Sequence, residues 1–438
     1  MALGSQYNKV ETTSTVDDLV HDIFTNDVVD NARCESPAAS VFQDAGPGDY
    51  ELIGESMKFA TDLHWVTGAV ASSGNLPDAQ SRDAVEGSLT PVRRYRRIAI
   101  DNHYEKRIRK PGSYMNLSDR IFMDLWFSWK LMEIRHSIGA ASGLVGKVSS
   151  RTDSDTFVIK DAYGNADSDP LAQLAVGARI CWYDVDGTAI AGAGIISAIT
   201  ESTRTISVTS SATWEPGNSL AANDLIYFCT TPNIATDYFE AERNLAPSGL
   251  GTIVDPAAAL STAFGIAESG NTRWKPYRVA SSTFDHMEVQ EHWRQLGVKR
   301  QMAVSPMTDV AITFPSITSQ LARTMMGYQQ QSYEGGMLKG GYAGVTIGNM
   351  EVIEDGHFYH DILMTVRKDS LFRINLGGDA DFFDEDGSMW RRIADFDGKE
   401  AHVGEYMQYF SNARGSNGAL TGISTDLTDT QYSVVPNY

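Results

Sequence analysis

Cysteine is scarce in this chain: three in 438 residues, Cys34, Cys181 and Cys229, far apart and with no Cys-x-x-Cys pair. That argues against a disulfide framework and fits synthesis in a reducing compartment. Positive charge is also in short supply. Lys and Arg number 36 against 56 Asp and Glu, a net charge of −20. A dedicated DNA- or RNA-binding protein draws its affinity mainly from cations that neutralise phosphates, so that class is disfavoured. A protein that encloses nucleic acid without gripping it is not. No apolar run reaches the roughly 18 residues that span a bilayer. The first 20 residues carry Asp17 and Asp18 and lack the apolar centre of a secretory signal. There is no internal repeat and no low-complexity tract. The expectation is a soluble protein made in the cytoplasm.

What is present is ordinary globular material, 42% hydrophobic and 21% charged. At about 150 residues per domain, the length accommodates two or three domains with sizeable cores. The first 55 residues hold eleven Asp and Glu against Lys9 and Arg33. Apart from a short helix expected over residues 15–24, capped by Thr15, they read as an arm that leans on something else. Two extended stretches follow, one through Leu52, Met57, Phe59, Leu63 and Trp65, the other over residues 92–108. The polar tip between them, with Ser72, Ser73, Gly74, Asn75 and Pro77, makes the pair a projecting hairpin. Such a hairpin is marginal in water unless it packs on a neighbour.

Pro111 and Gly112 end the hairpin, and a helix is expected from Leu117 to a stop at Gly139. Phe122, Leu125, Trp126, Trp129, Met132 and His136 recur at steps of three and four and mark one face. Residues 144–230 are β-rich, with six short strands expected at 145–148, 157–160, 179–183, 195–199, 205–209 and 225–228. Regular turns between them predict a small barrel or sandwich. Helices are expected at 236–244, 283–296 and 316–328, and strands again beyond residue 340.

The motifs of catalysis and metal binding fail in turn. Asp184-Val-Asp186-Gly187, Asp384-Glu-Asp386-Gly387 and Asp395-Phe-Asp397-Gly398 lack the first and twelfth ligands of an EF-hand, and read as turns. His357 and His360, three apart, have neither thiol partners nor a nucleophile beside them. The stretch Gly335-Gly-Met-Leu-Lys339-Gly-Gly341 has its lysine in the wrong place for a phosphate loop. Gly249-Leu-Gly251 lacks the third glycine of a dinucleotide site, and no Gly-x-Ser-x-Gly occurs. The expectation is therefore no catalytic residue, no cofactor and no metal.

One segment runs against the overall charge. Arg93, Arg94, Arg96, Arg97, Lys106, Arg107, Arg109 and Lys110 face only Asp101 and Glu105, with Tyr95 and Tyr104 interleaved. Such a strip suits single-stranded nucleic acid, or a strand whose arginines meet carboxylates on another protein surface. In so acidic a chain the second reading is preferred.

The order of parts — acidic arm, long hairpin, long amphipathic helix, mixed α/β body — resembles the major capsid protein of tailed bacteriophages, with its Hong-Kong-97-like fold. Further stretches resemble family patterns: Gly249-Leu-Gly-Thr-Ile-Val-Asp255, Phe264-Gly-Ile266 followed by Trp274, residues 381–387, and Arg414-Gly-Ser-Asn-Gly-Ala-Leu-Thr-Gly422. The resemblance implies an α+β fold with an N-terminal arm (1–50), an extended loop (51–112) and the spine helix of a peripheral domain (113–143). A small β-barrel-like insertion (144–232), a peripheral continuation (233–300), an axial domain with returning strands (301–400) and a last strand and tail (401–438) would follow. It also implies hexamers and pentamers in an icosahedral shell around double-stranded DNA, found in the virion and assembled in the host bacterial cytoplasm. A separate scaffolding protein, a portal protein and a decoration or cement protein would be partners, with no membrane involved. The residues expected at contacts between subunits are Arg93, Arg94, Arg96, Arg97, Arg107, Arg109, Lys110, Phe59, Trp65, Asp17, Asp18 and Asp22. Lys58, the one lysine of the first strand and loop, is not expected to form the isopeptide cross-link some members make. An encapsulin-type shell, another phage structural protein such as a tail component, and a carbohydrate-active enzyme with a β-module remain open as alternatives.

Overall fold

The computed structural model describes residues 36–46, 49–53, 56–62, 84–102, 117–153, 155–163, 171–187, 190–209, 221–229, 242–281, 284–300, 309–326, 346–347, 350–382, 390–393 and 397–424. These fall into two compact units.

The first unit holds the described parts of Pro91–Glu133 and Asn375–Met407. Its centre is an antiparallel ladder between the strand Val92–Asp101 and the strand Gly398–Ser411, in register from Val92↔Met407 to Asp101↔Gly398. The short strand Arg391–Arg392 pairs with Lys399 and Glu400. On one face Ile98 and Val403 pack with Trp129 and Met132 of the helix Leu117–Ile138. Trp129 is buried as its spacing predicts, whereas Trp126, expected on the same face, is 38% exposed.

This ladder corrects the hairpin. Residues 92–101 do not return against the first strand of the loop. That strand, Ser56–Asp62, pairs instead with Ala84–Leu89 and with Glu51–Ile53. The nearer segment closes the shorter connection, which costs less chain entropy, and Lys58 is ion-paired to Glu86 across it.

The second unit holds that three-stranded sheet, a barrel and a larger mixed sheet. The barrel is closed, with strand order Thr205–Thr209, Thr156–Asp161, Gly146–Asp153, Leu225–Phe228, Arg179–Tyr183, Ile190–Thr200. All six strands expected from the sequence are present. Alternation explains them: Phe157, Ile159, Ile180, Trp182, Ile206 and Ile226 point inward and are almost wholly buried. Gly192 lies opposite Trp182, and a Cβ there would sit 2.5 Å from the indole, so the bulkiest core residue demands the smallest partner. Asp184-Val-Asp186-Gly187 is a turn, closed by the Gly187 N–H on the Asp184 carbonyl with Gly187 at φ +65°.

The mixed sheet has the order Tyr277–Ala280, Gly418–Thr421, Leu363–Arg367, Asp309–Thr313, Met350–Glu354, Thr346–Ile347. The helices His286–Arg300 and Pro315–Met326 lay Val289, Trp293, Ile317 and Leu321 against it. Both helices were expected, with ends displaced by one to four residues. The sheet cuts across the boundaries 233–300, 301–400 and 401–438, because its two strands from outside the middle block pair parallel at one edge. The helix expected at 15–24 lies outside the described residues, as does all but the last three residues of the one expected at 236–244. Residues 242–244 are not helical.

Two of the family-like patterns turn out to be one buried charge cluster. Arg278 donates to Asp255 and to Glu268, each at 2.9 Å, and Arg414, fully buried, donates to Glu268 and to the Thr252 carbonyl at 3.1 Å. Burial pushes the Asp255 carboxyl up; at Glu268 the same burial is outweighed by hydrogen bonds from Arg278 and Arg414, which hold it below its usual range. Gly249, at the head of the motif, touches the end of the long helix so closely that a Cβ would lie 2.2 Å from the His136 carbonyl oxygen.

His292 is a contrasting case. It is 3% exposed, lies against the Tyr277 ring at 5.1 Å, and neither ring nitrogen has a hydrogen-bond partner. Burial, with the Arg300 cation, lowers its pKa to about 4. Between about pH 6.5 and 4 the unfolded chain therefore binds a proton that the folded chain refuses. Stability is expected to fall as pH drops through that window, by about 1.4 kcal/mol per unit and about 3 kcal/mol in all. Urea unfolding at pH 7.5 and 4.5 checks this against His292→Phe. The wild type should lose about 2.5 kcal/mol more than the variant between those two pH values; parallel losses would contradict the assignment.

Candidate inter-subunit surface

Alternation splits the basic strand into two faces. Arg94 points inward: it is 4% exposed, donates to Glu405 directly across the ladder, and its guanidinium lies 5.2 Å from the Trp129 ring. An inward arginine needs a carboxylate, since an unpaired buried charge is far costlier than a paired one. Arg94 is thus removed from the list of subunit contacts; its charge is neutralised within its own chain.

The opposite face is wet. Tyr95 is 50% and Tyr406 36% exposed, and the two rings meet edge to face at 6.1 Å with their hydroxyls 3.0 Å apart. Arg93 lies over the Tyr406 ring at 5.9 Å, and Arg97 is ion-paired to Glu400. His402 stands opposite Arg97, and its pKa is lowered by burial and by the Arg97 and Arg391 cations, against an opposing pull from Glu400. Gly404, without a side chain, stands opposite Tyr95 across the ladder. The result is a strip of tyrosines flanked by arginines, the composition that recurs at protein interfaces. Arg96, on the same side of the pleat as Arg94 and opposite Val403, is nevertheless exposed.

Phe59 is a second correction. It is 3% exposed and packs against Phe264, Trp274 and Phe410 at ring distances of 6.1, 6.3 and 5.0 Å. The Phe264-Gly-Ile266 and Trp274 pattern therefore exists to seat the root of the loop, not to meet another chain. Trp65, Arg107, Arg109, Lys110, Asp17, Asp18 and Asp22 lie outside the described residues.

The rejected chemical motifs can also be placed. His357 hydrogen-bonds its ring Nδ1 and its backbone N–H to Asp355, whose other oxygen accepts from the Ser36 hydroxyl and the Ala38 N–H. These bonds tie residues 36–38 to the turn at 355–358. His360 stacks on Phe314 at 3.8 Å. Among the described residues no group of three His, Cys, Asp or Glu could hold a metal ion, and no helix is long and apolar enough to cross a membrane. Sequence reading missed Glu405, Tyr406 and the Arg278–Arg414 cluster. Their partners lie more than 100 residues away along the chain, except for the short Asp255–Glu268–Arg278 stretch, whose acid–acid–base pattern was the available signal.

No protein-family model matches the chain, and no curated protein matches its sequence. Solved structures do. A chain of the cyanophage A-1(L) capsid asymmetric unit superposes with a TM-score of 0.56 at 10% identity, covering 94% of this chain and 99% of that one. The fold is that of a phage capsid subunit. Chains from the capsid of cyanophage P-SCSP1u (TM-score 0.43, 9% identity, 94% of each chain) and from the capsid of a native GTA particle (0.45, 6%, 91% of this chain and 96% of that one) align less well. The alignment with the A-1(L) capsid chain covers 94% of this chain, at an identity too low for any side-chain role to be carried over.

Proposed function

We propose that this protein is the major shell subunit of a tailed phage head, assembling with copies of itself around double-stranded DNA. The observation that carries the reading is the reciprocal coverage: 94% of this chain aligns with 99% of a phage capsid chain, with little left over on either side. On this reading the strands Glu51–Ile53, Ser56–Asp62 and Ala84–Leu89 belong to the extended loop, the helix Leu117–Ile138 is the spine, and the barrel is the addition to the minimal plan. The exposed Tyr95–Tyr406 strip with Arg93 and Arg97 meets a neighbouring subunit. Hexamers and pentamers are the building blocks, and a scaffolding protein and a portal are the partners. A net charge of −20 suits the task, because a shell that repels phosphate does not trap its genome. Many weak contacts sum through multivalency, so a change that weakens one of them is repeated at every copy of the interface.

Light scattering on the purified full chain, expressed alone and with a scaffolding partner, tests the proposal. Masses of five or six subunits and of closed particles are expected. A monodisperse monomer or trimer under every condition would overturn it.

A further inference from the structure

Two of the three cysteines are brought together by the barrel. Cys181 lies on Arg179–Tyr183 and faces Tyr227 across the ladder; Cys229 follows directly after Leu225–Phe228, its N–H donating to the Arg179 carbonyl at 3.1 Å. Since Ile180, Trp182 and Ile226 point into the barrel, Cys181 and Cys229 point out of it, as diagonal neighbours on one face. Both are free thiols, and the Cys181 thiol hydrogen-bonds that of Cys229. Tyr183, Ala193 and Tyr227 pack around them with Leu144 and Leu225, leaving Cys181 wholly buried and Cys229 8% exposed.

We propose that Cys181 and Cys229 are a redox-sensitive dithiol that closes to a cross-strand disulfide when the protein meets a low-molecular-weight disulfide such as oxidised glutathione. The inference does not rest on the shell reading. Cys229, the thiol with residual exposure at the end of its strand, attacks the external disulfide as the thiolate. A mixed disulfide forms and one glutathione leaves. Cys181 then attacks the Cys229 sulfur, the protein disulfide forms, and the second glutathione leaves; the two thiol protons end on the two glutathiones. The protein is oxidised by two electrons and the glutathione disulfide is reduced by two. The hydrogen bond shared with Cys229, and then burial, push the Cys181 thiol up, so the pair stays reduced and quiet in a reducing compartment, and the reaction quickens as pH rises. Once closed, the bridge ties together residues 48 positions apart and constrains the unfolded barrel.

The test uses the full chain, kept folded at neutral to mildly alkaline pH with excess oxidised glutathione, then digested without reduction. A peptide pair joined through Cys181 and Cys229, lighter by two hydrogens than the free thiols, is expected. The barrel's melting transition should rise by roughly 10 °C and return on reduction. Cys181→Ser should instead stop at a glutathione adduct on Cys229. Two thiols still open to alkylation after oxidation, a bridge that uses Cys34, or a bridge formed without a rise in melting temperature would each overturn the proposal.

Discussion

Replacing Arg414 by methionine is expected to lower the unfolding free energy by about 3–5 kcal/mol, as removal of one partner from a buried ion pair does. The side chain is fully buried and donates to Glu268 and to the Thr252 carbonyl, while its charge helps balance Asp255. Methionine fills much of the volume but leaves two carboxylates to a single cation, Arg278. Stability of a domain is only about 5–15 kcal/mol, so the variant should sit near the edge of folding. Two further variants separate charge from shape. Arg414→Met with Glu268→Gln should recover part of the loss, and exposed Arg294→Met should change stability by less than about 0.5 kcal/mol. Urea unfolding reads all three; a loss below 1 kcal/mol for Arg414→Met would show that the cluster contributes little.

Arg94 and Arg93 are adjacent in sequence and are expected to behave oppositely. Arg94→Ala strands Glu405, 7% exposed, in the first unit and removes the cation from the Trp129 ring. A loss of about 3 kcal/mol follows, and Glu405→Gln should lose a comparable amount. Arg94→Met with Glu405→Leu removes both charges and should be far less damaging than either single change. Arg93→Ala and Arg97→Ala touch the exposed face, where an ion pair such as Arg97 with Glu400 contributes about 0–1 kcal/mol. Those two variants should fold normally and fail in assembly. If Arg94→Ala were stable and assembly-deficient, or Arg93→Ala unstable, the two faces would be assigned the wrong way round.

The parts legible in the sequence are those with local periodicity. The six barrel strands could be placed because each is a short β-branched or aromatic run bounded by turn residues; closure into a barrel rather than a sandwich, which is non-local, could not. The helix containing Trp129 was marked by steps of three and four. What stayed hidden depends on contacts remote in sequence. The ladder of Val92–Asp101 joins a strand some 300 residues later, and no local pattern distinguishes that partner from Ser56–Asp62. Run together, Arg93-Arg94-Tyr95-Arg96-Arg97 reads as one basic patch; only the pleat reveals that Arg94 turns inward to Glu405 while Arg93 and Tyr95 face water. Phe59 was misread for a related reason. An aromatic on a projecting loop looks like an interface residue until Phe264, Trp274 and Phe410 arrive from distant segments to cover it.

Electron microscopy of the purified full chain, with wild type and Arg93→Ala side by side, is the decisive test of shell formation. Wild-type protein should form closed shells, or the rings of five and six that build them, with a repeating unit into which this capsid fold fits. Arg93→Ala should fold to the same subunit and leave it unassembled. Wild-type protein that forms only monomers, trimers or open tubes, with and without scaffolding partner, would contradict the shell function even though the fold itself would stand.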